Sequence, residues 1–191
     1  MRRPRVVLTT VTSVFLGCAA LGLARENEGC ATSIGISGDD YHLSVRVPEG
    51  WVHDHEADRD QESHGLVYPA GTSRVDAATV MYLKTASKKD HPVLQDLISG
   101  DVERRKAASP GLRVEVGEPL VTESGAKAVV DRFSAGKGGS FESVAYVEGP
   151  AVYLLIVLSS KSEAAYRKAR AAFADMVRSC RFPDAVSGIV K

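Results

Sequence analysis

Val152-Tyr-Leu-Leu-Ile-Val-Leu158 is an unbroken apolar run rich in strand-forming residues. It is too short to cross a bilayer as a helix, which takes about 20 residues. Such a run is predicted to be a central strand covered on both faces of its sheet. Gly149-Pro150 ahead of it signals a turn, which makes Ser143 to Glu148 its hairpin partner. Behind it, Ser160 and Glu163 stand at capping-box spacing, the signature of a helix start. Tyr166, Ala169, Phe173, Met176, Val177 and Cys180 then recur at intervals of three and four. They form one apolar stripe, with Arg167, Lys168, Arg170, Asp175 and Arg178 elsewhere on the helix. Arg178 and Arg181 suit the negative end of the helix dipole, and Pro183 ends the helical pattern. A strand and a helix that bury each other's apolar faces therefore organise the chain.

Two totals bound the rest. The chain has 191 residues, 44% of them apolar, enough for one domain with its own core. Lys+Arg and Asp+Glu are both 24, so no net charge draws the chain to nucleic acid or anionic lipid.

Arg2, Arg3 and Arg5 precede an uncharged, mostly apolar stretch from Val6 to Ala24. This is the pattern of a secretory signal. Three exits are open. Gly22-Leu23-Ala24 permits cleavage after Ala24; Phe15-Leu16-Gly17-Cys18 resembles a bacterial lipobox, in which Cys18 is lipidated; or the segment stays as an uncleaved anchor. Phe15 and Leu16 depart from the lipobox, which favours Leu and a small residue there. Beyond this segment only Cys30 and Cys180 remain, and an even pair in an exported chain reads as a disulfide. The organisation read from the sequence is a signal over 1–24, an N-terminal segment over 25–39, one domain over 40–183 and a tail over 184–191.

Tyr41, Leu43, Val45 and Val47 alternate with polar residues, the mark of a half-buried strand. Pro48-Glu49-Gly50-Trp51 ends it, and Trp51, the only tryptophan, is expected to anchor a core or its rim. Leu66 to Pro69 and Ala77 to Lys84 read as further strands. Asp90 is a plausible N-cap for a helix to Ala108, with Leu94, Leu97, Ile98 and Val102 inward. Leu112, Val114 and Val116 alternate as on a strand with one wet face. Lys127 to Ser134 and Ser140 to Glu148 flank a glycine-rich hairpin loop at 135–139.

A strand running into Pro48-Glu49-Gly50-Trp51, followed by strands, a helix, more strands and a terminal helix, resembles the PsbP-like and DcrB/LpqN-like group of small exported domains. The resemblance covers roughly Asp40 to Pro183. It implies an α+β fold, an antiparallel sheet sandwiched by helices (the PsbP-like α/β/α sandwich). It also implies non-catalytic roles: accessory subunits, envelope lipoproteins and partner-binding domains. It carries no functional residue over to this chain.

Candidate chemistry is sparse. His53, His55 and His64, with Glu56 or Asp58, could supply imidazole and carboxylate ligands to zinc or copper. Their spacing matches no established metal motif, and a solvated loop explains them as well. Gly136-Lys137-Gly138 lacks the residues of a phosphate loop. Gly35-Ile36-Ser37-Gly38 is not a nucleophile elbow, because Asp39 stands where the last glycine belongs. Lys88-Lys89 and Arg104-Arg105-Lys106 read as solvated basic faces. The expectation is a non-enzymatic protein without cofactor, secreted or attached to the outer face of the cell membrane through its N-terminal signal or a lipid. There it binds an envelope protein or a lipid-bearing partner. The alternative is a metal- or small-molecule-binding protein using the His53–His64 loop.

Overall fold

Strand β10 (Val152–Ser160) lies between β5 (Thr79–Ser87) and β9 (Phe141–Glu148), paired antiparallel with both. Its residues from Val152 to Leu158 are all buried, because a helix covers each face of the sheet. The computed structural model describes residues 32–57, 64–135 and 139–183. Within them an eight-stranded antiparallel sheet runs β3 (Trp51–His53), β4 (His64–Pro69), β5, β10, β9, β8 (Lys127–Ser134), β6 (Arg113–Val116). The short β7 (Leu120–Val121) pairs with β8 beside β6. The expected β9–β10 hairpin is present, closed by a Gly149 N–H donated to Val152 O at 2.9 Å. The β8–β9 hairpin is closed by Ala135 N–H to Ser140 O at 3.1 Å, and residues 136–138 of its loop lie outside the described residues.

Helix α2 (Glu163–Arg178) covers one face, and the whole predicted stripe from Tyr166 to Val177, with Cys180, is buried there. Its cap differs from the expected one. Ser162 accepts from Ala165 N–H, while Ser160 still belongs to β10 and bonds the Thr79 hydroxyl at 2.8 Å. Strand pairing with Thr79 and Phe141 holds Ser160 back from the helix. Small residues of the sheet, Ala128 and Ala145, share this core, which leaves room for the helix.

A hairpin of β1 (Ser33–Ser37) and β2 (His42–Arg46) packs on the same side. Ile34, Ile36, Leu43 and Val45 point into the α2 core, so the predicted alternation over Tyr41–Val47 holds. Strand β1 falls in the stretch read from sequence as the N-terminal segment. Arg181 bridges to Ser44 on the other edge of β2, just after the helix. The chain leaves α2 at Ser179, ahead of Pro183.

Helix α1 (Leu94–Ala108) covers the opposite face, over Phe133, Val144, Tyr146, Tyr153, Leu155 and Val157. It starts later than predicted: Asp90 and His91 belong to a turn on Ser87, and the cap position is Val93, with no side-chain bond. Pro92 accounts for this, since the residue before a proline is driven out of the helical region. Only Ile98 and Asp101 of α1 are fully buried. The fold is thus an α+β sandwich: α1, the antiparallel sheet, then α2 with the β1–β2 hairpin.

Candidate functional site

The Pro48–Trp51 stretch forms a tight turn into edge strand β3. Trp51 N–H donates to Pro48 O at 3.1 Å, and Gly50 adopts φ +76°, a left-handed conformation that glycine reaches without strain. Trp51 pairs with Pro69 of β4, which places its indole at the sheet rim opposite the first turns of α2. There α2 presents Ala165 and Ala169, and the sheet presents Ala70, Ala78 and Thr79. These short side chains leave a largely apolar groove of about 480 Å³. Glu49 and Lys168 border it, and neither forms an ion pair among the described residues. A hollow of this size, apolar within and charged at its rim, suits an apolar group carried by a polar chain. The sequence marked Trp51 as an anchor of a core or its rim, and it is half-buried against the α2 core at the sheet rim. The sequence did not mark the groove, whose only signal is the small residues Ala165 and Ala169 along the α2 stripe.

The three histidines lie at the end of β3, in the turn after it and at the start of β4. His53 ends β3, and its ring lies 4.1 Å from that of His55, in the following turn. His64 begins β4 and is paired with Leu83 of β5. Asp58 lies outside the described residues. No group of three or more His, Cys, Asp or Glu among the described residues is arranged to hold a metal ion. Cys180 has no exposed surface and forms no disulfide among the described residues, and burial pushes its thiol's pKa up to about 12. Cys18 and Cys30 lie outside the described residues, as does the signal segment.

Beneath α1 sits a buried polar network that sequence reading missed. Asp101 is 4% exposed and accepts from the Tyr146 hydroxyl at 2.7 Å, from Arg105 Nε at 2.8 Å and from Arg104. Arg105 also binds Glu142, which accepts from Ser159 Oγ at 3.0 Å. The Arg105 guanidinium lies over the Phe133 ring at 4.7 Å. The Arg104-Arg105-Lys106 cluster is therefore not simply a solvated face: Arg105 is turned inward. Burial raises the Asp101 carboxyl's pKa, but the bonds from Tyr146 and Arg105 outweigh it and hold it below the ordinary value. Burial, then Asp101, pushes Tyr146 up. Asp131, 5% exposed, is pushed up by burial and by the Asp101 charge. The charges of Asp101, Arg105 and Glu142 satisfy one another, so the network docks α1 on the sheet.

No family model matches the chain, and no curated protein sequence matches it. Solved structures do. The cyanobacterial PsbP protein (CyanoP) of Synechocystis matches with a TM-score of 0.51 at 12% identity, over 87% of this chain and 97% of that one. A mutant of protein Mog1 matches with a TM-score of 0.53 at 12% identity, over 81% of this chain and 97% of that one. The Ran-binding protein Mog1p of Saccharomyces cerevisiae gives 0.49 at 11% identity, over 79% and 94%. At such identities the likeness is one of architecture, and the chain has the α+β fold shared by PsbP and Mog1.

Proposed function

We propose that this chain is a non-enzymatic binding module, exported or lipid-anchored through its N-terminal segment, that takes an apolar group of an envelope protein or lipid-bearing partner into the Trp51 groove. The observation that carries this reading is the groove itself. It is apolar and of ligand size, and the Pro48–Trp51 turn that lines it is part of the resemblance to the PsbP-like and DcrB/LpqN-like group. The signal-like pattern of Arg2 to Ala24 supports export, and the absence of a catalytic motif in the sequence supports a non-enzymatic role.

Photo-crosslinking in native membranes tests it. A photoreactive residue at Thr72, on the groove wall, is expected to give a discrete adduct that disappears when Trp51→Ala is added. The same residue at Val75, 86% exposed and outside the groove lining, serves as control. Equal adducts from both positions, or adducts indifferent to Trp51→Ala, would sink the reading.

A further inference from the structure

Helix α2 is flanked by two hollows. One is the Trp51 groove. The other, of about 200 Å³, lies where the helix passes the ends of β8 and β9 and the edge strand β6. Strand register builds it: Arg132 of β8 stands opposite Glu115 of β6 on one side and Ser143 of β9 on the other. Tyr166 of α2 is fixed to the Ser143 hydroxyl at 2.6 Å, and its ring lies 6.0 Å from that of Phe141. With Tyr166 held there, Arg167 and Arg170 line the same hollow as Arg132.

The charges are only partly matched. Arg167 is bound to Glu163 one turn earlier on the helix. Arg132 and Arg170 form no ion pair among the described residues, although Glu115 is in register with Arg132 and lines the notch. Two uncommitted guanidiniums, one from the sheet and one from the helix, therefore share one concavity.

We infer that this notch binds a phosphate group. One guanidinium saturates a carboxylate through two parallel hydrogen bonds, whereas a phosphate has oxygens enough for two guanidiniums approaching from separate elements. The charge of a phosphate monoester, about −1.5 to −2 at neutral pH, matches the two unpaired cations. Glu115 works against the ligand by like-charge repulsion and turns outward as it enters. The inference is independent of what occupies the Trp51 groove. The group is either the headgroup of a lipid or a soluble phosphate ester.

The test is a titration of the isotope-labelled protein with inorganic phosphate, read at the arginine side-chain Nε–H resonances. Saturable shifts at Arg132 and Arg170 are expected. The double substitution Arg132→Gln, Arg170→Gln is expected to weaken binding by about tenfold or more. Glu115→Gln, which leaves both arginines in place, is expected to tighten it about two- to threefold. Arg178→Gln, on the same helix and away from the notch, is expected to bind as the parent does. Vesicles of phosphatidylcholine with and without phosphatidic acid separate the sources. Sedimentation with phosphatidic acid alone, lost on the double substitution, assigns a headgroup. Phosphate binding without vesicle binding assigns a soluble ester. Non-saturating shifts, or unchanged affinity in both the double variant and Glu115→Gln, would overturn the inference.

Discussion

Tyr146 donates its phenolic hydrogen to Asp101 Oδ2 at 2.7 Å, joining the middle of the sheet to the middle of α1 inside the protein. The bond adds to a thin apolar contact, in which Ile98 is buried and Leu94, Leu97 and Val102 are half-buried against the sheet. The α1 cap has no side-chain bond, and only Ile98 and Asp101 are fully buried along the helix. Helix α2, by contrast, carries a continuous apolar stripe into the core. The two helices of the sandwich are thus held differently, α2 by a continuous apolar stripe and α1 by a thinner apolar contact joined to a charge-assisted network.

Tyr146→Phe removes one of the hydrogen bonds to a buried carboxylate and leaves those from Arg104 and Arg105. The expected loss is about 1.5–3 kcal/mol, measured by urea unfolding. Asp101→Asn is expected to cost more, about 3–5 kcal/mol, because Arg105 then loses half of its compensation in a buried site. The Asp101 carboxyl lies below its unfolded value of 3.8, so its stabilisation is present above that value and lost as pH falls through the folded one. The Tyr146→Phe protein should therefore lose stability at a higher pH than the parent on acidification. Identical acid profiles would show that the phenol does not hold the carboxylate ionised.

Asp131 runs the other way. Burial, then the neighbouring Asp101 charge, raises its pKa. Its contribution is fully present below the unfolded value and lost as pH rises through the folded one. The fold thus disfavours the carboxylate form of Asp131, and above the unfolded value Asp131→Asn is expected to stabilise the protein by on the order of 1 kcal/mol. The gain should shrink as pH falls towards 4. A gain that is constant with pH would mean that the change acts through packing.

Gly65 of β4 lies close against Ile34 of the β1–β2 hairpin. It adopts φ +60°, at the irregular stretch of β4, and a Cβ there would stand 2.9 Å from Ile34 Cγ2 and 3.0 Å from Leu83 Cδ1. Gly65→Ala thus meets both a left-handed backbone and an overfilled contact, for an expected cost of about 2–4 kcal/mol. Gly125→Ala, at φ +82° with open space around it, is the control and should cost only about 1–2 kcal/mol. Equal losses at the two positions would remove Ile34 from the explanation.

The strands and helices were legible where one periodicity ran without interruption. Val152–Leu158 and the stripe from Tyr166 to Val177 carry their burial in their spacing, because a covered central strand and an amphipathic helix each have one way to satisfy it. Helix α1 was legible as a helix and in its inward stripe of Leu94, Leu97, Ile98 and Val102, but not in its polar attachment. Asp101 and Arg105 look solvated on a sequence because their partners, Tyr146 and Glu142, lie about 40 residues away on β9. The groove was illegible for a related reason. It is a space left by Ala165, Ala169 and Ala78, and absent side chains leave no pattern. The histidines lie on two neighbouring strands: His53 closes β3 beside His55, and His64 opens β4.

The staple between Cys30 and Cys180 is the last prediction. Val47 N–H donates to Thr32 O at 2.8 Å on one edge of β2, and Arg46 N–H donates to Ser179 Oγ at 2.9 Å. Arg181 bridges Ser44. The beginning and the end of the described chain therefore flank the same strand, about two strand spacings, or ~10 Å, apart. Cys30 precedes Thr32 by two residues and lies outside the described residues. A bond requires the two Cα atoms within about 7 Å. We expect it to form in exported protein, and its loss to cost about 2–5 kcal/mol while leaving the domain folded on its own core. Burial keeps the Cys180 thiol protonated at neutral pH, so native alkylation would miss it whether or not it were bonded. The decisive measurement is peptide mapping without reductant after unfolding in excess alkylating agent. A Cys30–Cys180 peptide pair is the expected result. Alkylated thiols at both positions would rule the bond out, and a Cys30–Cys30 dimer would assign that thiol to assembly instead.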